Sequence, residues 1–313
     1  MSNKKNNING WIFVDKPKNF TSQDVLNVLK KIFSPTKIGH GGTLDPLAQG
    51  ILPVCFGEAT KTLDYVLNAN KTYEFSISFG IETTTDDLEG EIINKNDFMP
   101  SQEILINSLR LFRGNIEQVP SKFSAIKING KKSYDLARKG IEFDMPKRFV
   151  NIISLELLDY NFLQKTATFK ANVSKGTYIR TLAKDIAKSV GAFGVVSYLK
   201  RTKIDINKEI ILISLNNLYN MEYYLSNKKI FWSIEDMLDD ISAYQLTKLQ
   251  ALHLLNGNVG SLDFPNITSG VLKAMYQDKI IALLNYQDSE FKILRVFNMY
   301  KELINNKECS DVN

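Results

Sequence analysis

Between residues 71 and 80 the chain alternates with a period of two: Tyr73, Phe75, Ile77 and Phe79 against Glu74, Ser76 and Ser78. Successive strand side chains point to opposite faces, so this is the pattern of a half-buried antiparallel strand, with one apolar and one polar face. Other segments join it. Gly10 to Val14 is a short apolar run stopped by Asp15-Lys16-Pro17, and Phe123 to Ile128 is closed by Asn129-Gly130, a strong hairpin signal. Val150 to Tyr160 and Thr166 to Val173 read as further strands. Helices are expected where Thr21-Ser22-Gln23-Asp24 precedes Val25, Leu26, Val28, Leu29 and Ile32, and from Glu58 to Leu67. Another follows Pro100-Ser101 through Leu105, Leu109 and Phe112 to a stop at Gly114, and a short one runs from Tyr134 to Arg138, ending near Gly140. The last of this group, Thr177 to Val190, carries Leu182, Ile186 and Val190 on one face and meets Gly191 as its stop. Strands and helices in this order lack βαβ regularity. They predict an α+β fold with a mixed, mostly antiparallel sheet flanked by helices.

The last third reads differently. Phe231 to Leu238 and Ala243 to Leu255 look helical, and Val271-Leu272, Ile280 to Leu284 and Phe291 to Phe297 look like small strands, which puts a boundary within 206–240. The chain of 313 residues is 44% hydrophobic, enough for a real core over one large or two ordinary domains. No apolar run reaches membrane-spanning length, and Met1 to Gly10 has no apolar centre like that of a secretory signal. Cys55 and Cys309 lie far apart, and His40 and His253 are the only histidines, so neither a disulfide scaffold nor a Cys/His metal centre is expected. A reducing cytoplasmic setting follows as the default. Residues 1–205 carry 29 Lys/Arg against 21 Asp/Glu, and residues 206–313 carry 10 against 13, so a polyanion would meet the first two-thirds more readily.

Three segments concentrate chemistry. Gly39-His40-Gly41-Gly42-Thr43-Leu44-Asp45-Pro46-Leu47-Ala48-Gln49-Gly50 is a loop that lets another molecule approach its backbone closely, or a plain connector that turns at Asp45-Pro46. It lacks the Gly-Lys-Ser/Thr of a phosphate-binding loop. Val173-Ser174-Lys175-Gly176-Thr177-Tyr178-Ile179-Arg180 places Tyr178 and Arg180 at a helix start, where anions are favoured, or where an arginine is simply solvated. Gln118-Val119-Pro120 leads through Ser124-Ala125 to a hairpin with Lys122, Lys127, Lys131 and Lys132, suited to phosphate contacts or merely basic. His40 by its type alone reads as a turn histidine.

In this order the segments resemble the bacterial TruB-type tRNA pseudouridine synthases. The resemblance runs from about Gly10 to about Thr202. It rests on Asp15-Lys16-Pro17, Lys37-Ile38-Gly39-His40, Gly42-Thr43-Leu44-Asp45-Pro46-Leu47-Ala48, Gly57-Glu58-Ala59-Thr60-Lys61 and Lys71-Thr72-Tyr73. Beyond these it includes the acidic loop from Gly80 to Gly90, Gln118-Val119-Pro120, Ser124-Ala125, Asn129-Gly130-Lys131 and Ser174-Lys175-Gly176-Thr177-Tyr178-Ile179-Arg180. Any one motif is weak, and the ordered set is specific.

The resemblance implies an isomerase that flips the uridine of the tRNA TΨC loop (U55) out of the fold, cleaves its glycosidic bond and rejoins the uracil through carbon. It implies Asp45, Tyr73 and Arg180 as catalytic residues, with Asp45 a nucleophile toward the base or ribose, or a base. Arg180 would be its charge partner, and Tyr73 would stack under the uracil. Tyr178 and Leu199 would wall the base pocket, and His40 would fill the space the base leaves. Lys16, Lys61, Lys127, Lys131 and Lys132 would meet RNA. The implied partner is tRNA, at its T arm and elbow, bound by a monomer with no metal, nucleotide cofactor or membrane. The expected organisation is a disordered start at 1–9, a catalytic domain over 10–225, a PUA-like RNA-binding β domain over 241–299 and a polar tail over 300–313. Four positions depart from the family's usual residues: Ser121 stands for a second Pro, Phe123 for Tyr, Val173 for Cys and Thr84 for Asp. A tRNA-binding or tRNA-folding chaperone acting without catalysis is the alternative. A small-molecule hydrolase or lyase would need a second carboxylate in comparable context, and none stands out.

Overall fold

The structure, a computed structural model, describes residues 5–215, 224, 226–227, 229–260, 262–263 and 269–306. Its strands run β1 (Gly10–Lys16), β2 (Ile38–His40), β3 (Gln49–Phe56), β4 (Lys71–Phe79), β5 (Ile81–Thr83), β6 (Ile92–Lys95), β7 (Gly114–Gln118), β8 (Lys127–Ile128), β9 (Lys131–Lys132), β10 (Arg148–Asn161), β11 (Thr166–Val173), β12 (Gly194–Ile204) and β13 (Leu212–Ser214). The main sheet has the order β13-β1-β3-β12-β4-β11-β10-β7, with β2 added to β3. Among the described residues of this sheet only β1–β13 and β3–β12 pair in parallel, so the expected mixed, mostly antiparallel sheet is found.

The alternating segment is β4, between β11 and β12. Phe75 and Ile77 are buried on the core face, and on the other face Ser76 Oγ shares a 2.8 Å hydrogen bond with Thr168 Oγ1 of β11. α1 (Ser22–Phe33) starts as its sequence implies. Thr21 accepts from the Asp24 amide while Asp24 accepts from the Thr21 amide, and Val25, Leu26, Leu29 and Phe33 go into the core. α5 (Ile179–Ser189) buries Leu182, Ala183, Ile186 and Ala187 against the same face as Phe75 and Ile77.

Several boundaries move. Glu58–Leu67 forms a 3-10 turn, Gly57–Thr62, before α2 (Leu63–Asn68). α3 (Gln102–Ser108) also ends in a 3-10 turn, Leu109–Phe112, and α4 (Ser133–Arg138) starts one residue early. Of Phe123–Ile128 only β8 pairs, across Asn129 (φ 48°) and Gly130 (φ 81°), the two left-handed residues of a tight hairpin turn. The start at 1–9 is not disordered where it is described: Asn6 bridges to Pro35, Ile8 is buried, and Asn9 Oδ1 accepts the Glu58 amide.

The last third holds a second, four-stranded sheet: β14 (Ala243–Gln245), β15 (Gly270–Tyr276), β16 (Lys279–Gln287) and β17 (Glu290–Val296). Ala243–Gln245 is therefore a strand, parallel to β15, and helix begins only at Lys248, after Thr247 caps it. Phe231–Leu238 is helical only over Ile234–Met237, because Trp232 exchanges backbone hydrogen bonds with Trp11 and Ser233 caps the turn. The tail is not simply polar, since Lys301–Asn306 is helical and buries Ile304 in the second sheet's core. No helix among the described residues is long and apolar enough to cross a membrane.

Candidate active site

Asp45 lies in a loop that the structure fastens from several sides. Ser22, at the start of α1, accepts the Leu44 amide at 2.9 Å and donates to the Leu44 carbonyl at 3.1 Å. The Asp45 carbonyl accepts from Ala48, and the Pro46 carbonyl from the Asn19 amide and from Lys16 Nζ. The side chain is 35% exposed and faces a cleft of about 580 Å³. Arg180, in the first turn of α5 and only 8% exposed, places Nε 2.9 Å from Asp45 Oδ2.

The rest of the Arg180 guanidinium is held by protein. Nη1 donates to the Thr85 carbonyl at 2.9 Å and to Asp87 Oδ2 at 3.2 Å, and Nη2 to the Phe123 carbonyl at 3.1 Å. One buried arginine thus joins two carboxylates from different loops. Phe123, where a tyrosine hydroxyl was missed, serves Arg180 through its backbone. Gln118 explains its own motif: buried, it accepts the Tyr178 amide on Oε1 at 3.0 Å and donates Nε2 to the Tyr178 carbonyl at 3.3 Å. Both backbone groups at the entry to α5 are fixed, and burial pushes the Tyr178 phenol pKa up from its ordinary value.

Tyr73, Tyr178 and Leu199 line the same cleft as Asp45 and Arg180, so five of the six residues expected at the reaction centre converge. His40 does not line it. It sits on β2 opposite Val54, and burial, reinforced by Arg201, lowers its pKa. The basic residues divide. Lys127 lines the cleft and Lys131 and Lys132 are exposed on the β8–β9 hairpin. Lys16 is fully buried, with Nζ donating to the carbonyls of Pro17, Phe20 and Pro46, so it braces the Asp45 loop and is not available to a phosphate. Lys61, partly exposed, bonds Glu58 and the Val296 carbonyl, tying the second sheet to the first.

Sequence reading missed Arg201. It is 1% exposed on β12 and donates Nε to the Ile51 carbonyl at 2.7 Å, Nη2 to the Gly42 carbonyl at 3.0 Å and Nη1 to the Tyr73 hydroxyl at 3.4 Å. It thereby holds the Asp45 loop and Tyr73 in one frame. In sequence it is one cation of Lys200-Arg201-Thr202-Lys203, which reads as a solvated basic stretch until the partner carbonyls are known. Lys71, quoted in sequence only as a motif neighbour of Tyr73, has a structural role that was not read there: Nζ caps the end of α2 on the carbonyls of Val66, Leu67 and Ala69, and burial lowers its pKa to about 8.

This arrangement is a cleft with one carboxylate in its lining, a buried arginine beside it and two tyrosines in the wall, on a mixed sheet. Among solved structures, the fold is similar to a chain of a Cbf5-Nop10-Gar1 complex (TM-score 0.67, 23% identity, 93% of this chain and 86% of that one). It is also similar to a chain of an H/ACA RNP bound to a substrate RNA containing 2′-deoxyuridine (TM-score 0.65, 22% identity, 91% and 82%). Residues 30–179 match the TruB family pseudouridylate synthase N-terminal domain. Curated relatives called tRNA pseudouridine synthase B include those of Zymomonas mobilis, 40% identical over 93% of this chain and 96% of that protein, and Rickettsia bellii, 37% over 92% and 98%. The Caulobacter vibrioides protein of that name is 36% identical over 93% and 97%. The chain belongs to the TruB family of pseudouridylate synthases, which are isomerases.

Proposed function

We propose that this isomerase acts on tRNA, converting the uridine of the TΨC loop, U55, to pseudouridine. The observation that carries the reading is the Asp45–Arg180 pair, 2.9 Å apart, with Asp45 open to a cleft walled by Tyr73, Tyr178 and Leu199. A flipped uracil would lie against Tyr73 with its ribose near Asp45, and extruding it costs roughly a few kcal/mol. Asp45 then assists cleavage of the N1–C1′ bond, by attack or as a base. The uracil turns so that C5 bonds to C1′, and the C5 proton is lost as N1 gains one. The balance needs no oxidant and no second substrate. The T arm would approach over Lys127, Lys131 and Lys132, all exposed, Lys132 with its Nζ also donating to the Tyr134 hydroxyl at 3.1 Å.

The test is unmodified tRNA carrying tritium at C5 of its uracils, with wild type and Asp45→Asn side by side. One label released per tRNA by wild type, and none by the variant despite binding within a few-fold, is the expected result. Salt-sensitive binding without release from either protein would move the function to tRNA folding without catalysis. Release from a tRNA whose U55 is replaced by cytidine would place the target elsewhere.

A further inference from the structure

α5 carries its cations on one stripe: Arg180, Lys184 and Lys188 are four residues apart, so their side chains stack along one helix face. Opposite them runs the segment from β5 through Glu91, which supplies three carboxylates. Arg180 Nη1 is 3.2 Å from Asp87 Oδ2, Lys184 Nζ is 2.9 Å from Asp86 Oδ2, and Lys188 Nζ is 2.6 Å from Glu82 Oε1. Asp86 takes a left-handed conformation (φ 62°), which aspartate tolerates, and the neighbouring Asp86 and Asp87 reach two successive rungs of the helix. The Asp86 carbonyl accepts the Val196 amide of β12, and Asp87 bridges to Val196, so the loop is stitched to the sheet as well.

We infer that Lys184 and Lys188, with Asp86 and Glu82, are positioning residues for the reaction: they hold the acidic loop against α5 and so aim Arg180 Nε at Asp45. The inference rests on the reading of Asp45 and Arg180 given above. Two of the acceptors that fix the guanidinium, the Thr85 carbonyl and Asp87, belong to that loop. If the loop moves outward, Nη1 loses both, the planar group keeps only the Phe123 carbonyl and Asp45, and it is free to turn about its last bonds. Nε then leaves the carboxylate. A shift of about 1 Å at such a contact costs on the order of a hundredfold in rate when the reaction depends on it.

The outer rung can be reversed without touching the cleft. Lys188→Glu and Glu82→Lys each set like charges face to face, and the double reversal restores attraction. The Nε–H resonance of Arg180, identified in ¹⁵N-arginine protein by its loss in Arg180→Lys, reports the bond to Asp45 without any substrate. Each single reversal should shift that resonance and speed its exchange with water, and the double reversal should bring it back. Single-turnover tritium release should fall about tenfold or more in the single variants, recover in the double, and leave the Kd for tRNA within twofold. Lys184→Met should act in the same direction on both readouts. An unmoved resonance, or single variants that lose thermal stability while keeping their single-turnover rate, would overturn the inference, as would a double reversal that fails to recover. Should the resonance behave as expected while wild type releases no tritium, the reaction reading falls and the loop's hold on Arg180 stands.

Discussion

Arg201 shows how a buried charge can organise the site whose wall it helps form. Its three nitrogens serve two carbonyls and a tyrosine hydroxyl, and each carbonyl left without a donor costs about 1–3 kcal/mol. Arg201→Met keeps much of the stem and removes the donors. It should lower stability in urea unfolding by a few kcal/mol and lower kcat more than it raises KM, because Tyr73 and the Asp45 loop lose their common brace. Unchanged unfolding would mean water replaces the guanidinium at the Ile51 and Gly42 carbonyls. His40 offers a pH test. Burial holds its folded-state pKa below 6.5, so the unfolded chain takes up the proton first as pH falls. Its contribution to stability is complete above 6.5 and is lost as pH drops through the folded value. From about pH 7 to about pH 5, wild type should lose more unfolding free energy than His40→Gln, measured by denaturant titration. Parallel slopes would show that His40 is protonated as easily in the fold as outside it. At this scale the residues that sequence exposed were those in motifs. Asp45, Tyr73, Tyr178 and Arg180 sit in short, unusual strings, whereas Arg201 is an ordinary cation whose meaning lies in distant carbonyls, and Lys71, though it shares a string with Tyr73, bonds carbonyls only two to five residues back.

Among the elements, β3 and β12 were hidden for different physical reasons. β3 is buried along nearly its whole length, so it gives a continuous apolar run beginning at the glycine-rich loop, without the alternation that betrayed β4. β12 does alternate, but irregularities between Val196 and Tyr198 and between Arg201 and Lys203 shift its parity twice. Thr166–Val173, free of these complications on its own strand, was legible residue for residue. The parallel contact between β3 and β12 is narrow, Gln49 with Lys200 and Gly50 with Arg201, yet it carries Arg201 to the Asp45 loop. Gly50 has φ 95°, and a Cβ there would lie 2.3 Å from the Arg201 carbonyl oxygen. Gly50→Ala therefore combines backbone strain with a backbone clash, and the two strands must separate at the site's base. The variant should unfold at markedly lower denaturant and, where folded, show slow single-turnover isomerisation. Wild-type stability in that variant would mean that the contact is slack and that β12 is placed by β4 alone.

Over the whole molecule, the sequence suggested a large catalytic unit followed by a small β unit, and the two sheets are there. Their relation was not legible, because it depends on which face of β1 each apolar residue takes. Ile12 and Val14 face the core that holds α1 and α5, while Trp11 and Phe13 face the other way. On that second face they meet Trp232, Ile234 and Met237, then Met275, Ile280 and Leu283 of the second sheet and Phe297 beyond it. Lys61 reaches the Val296 carbonyl and Glu58 accepts the Asn298 amide across the same junction. Cys55 lies in this core, its thiol pKa pushed up to about 12 by burial. Two sheets that share one core do not behave as beads on a string, since burial stabilises by about 25 cal/mol for each Å² of apolar surface removed from water. A chain ending at residue 240 would keep Trp232, Ile234 and Met237 but strip Met275, Ile280, Leu283 and Phe297 from this shared core, while leaving Asp45, Arg180 and the whole cleft in sequence. It should unfold at lower temperature than the full chain and bind a dye for exposed apolar surface, and Cys55 should react with a thiol reagent far faster. Isomerisation by whatever remains folded would then separate the two contributions of the last third. A shortened chain as stable and as unreactive at Cys55 as the full one would show that the junction is loose and that the second sheet contributes nothing to the first.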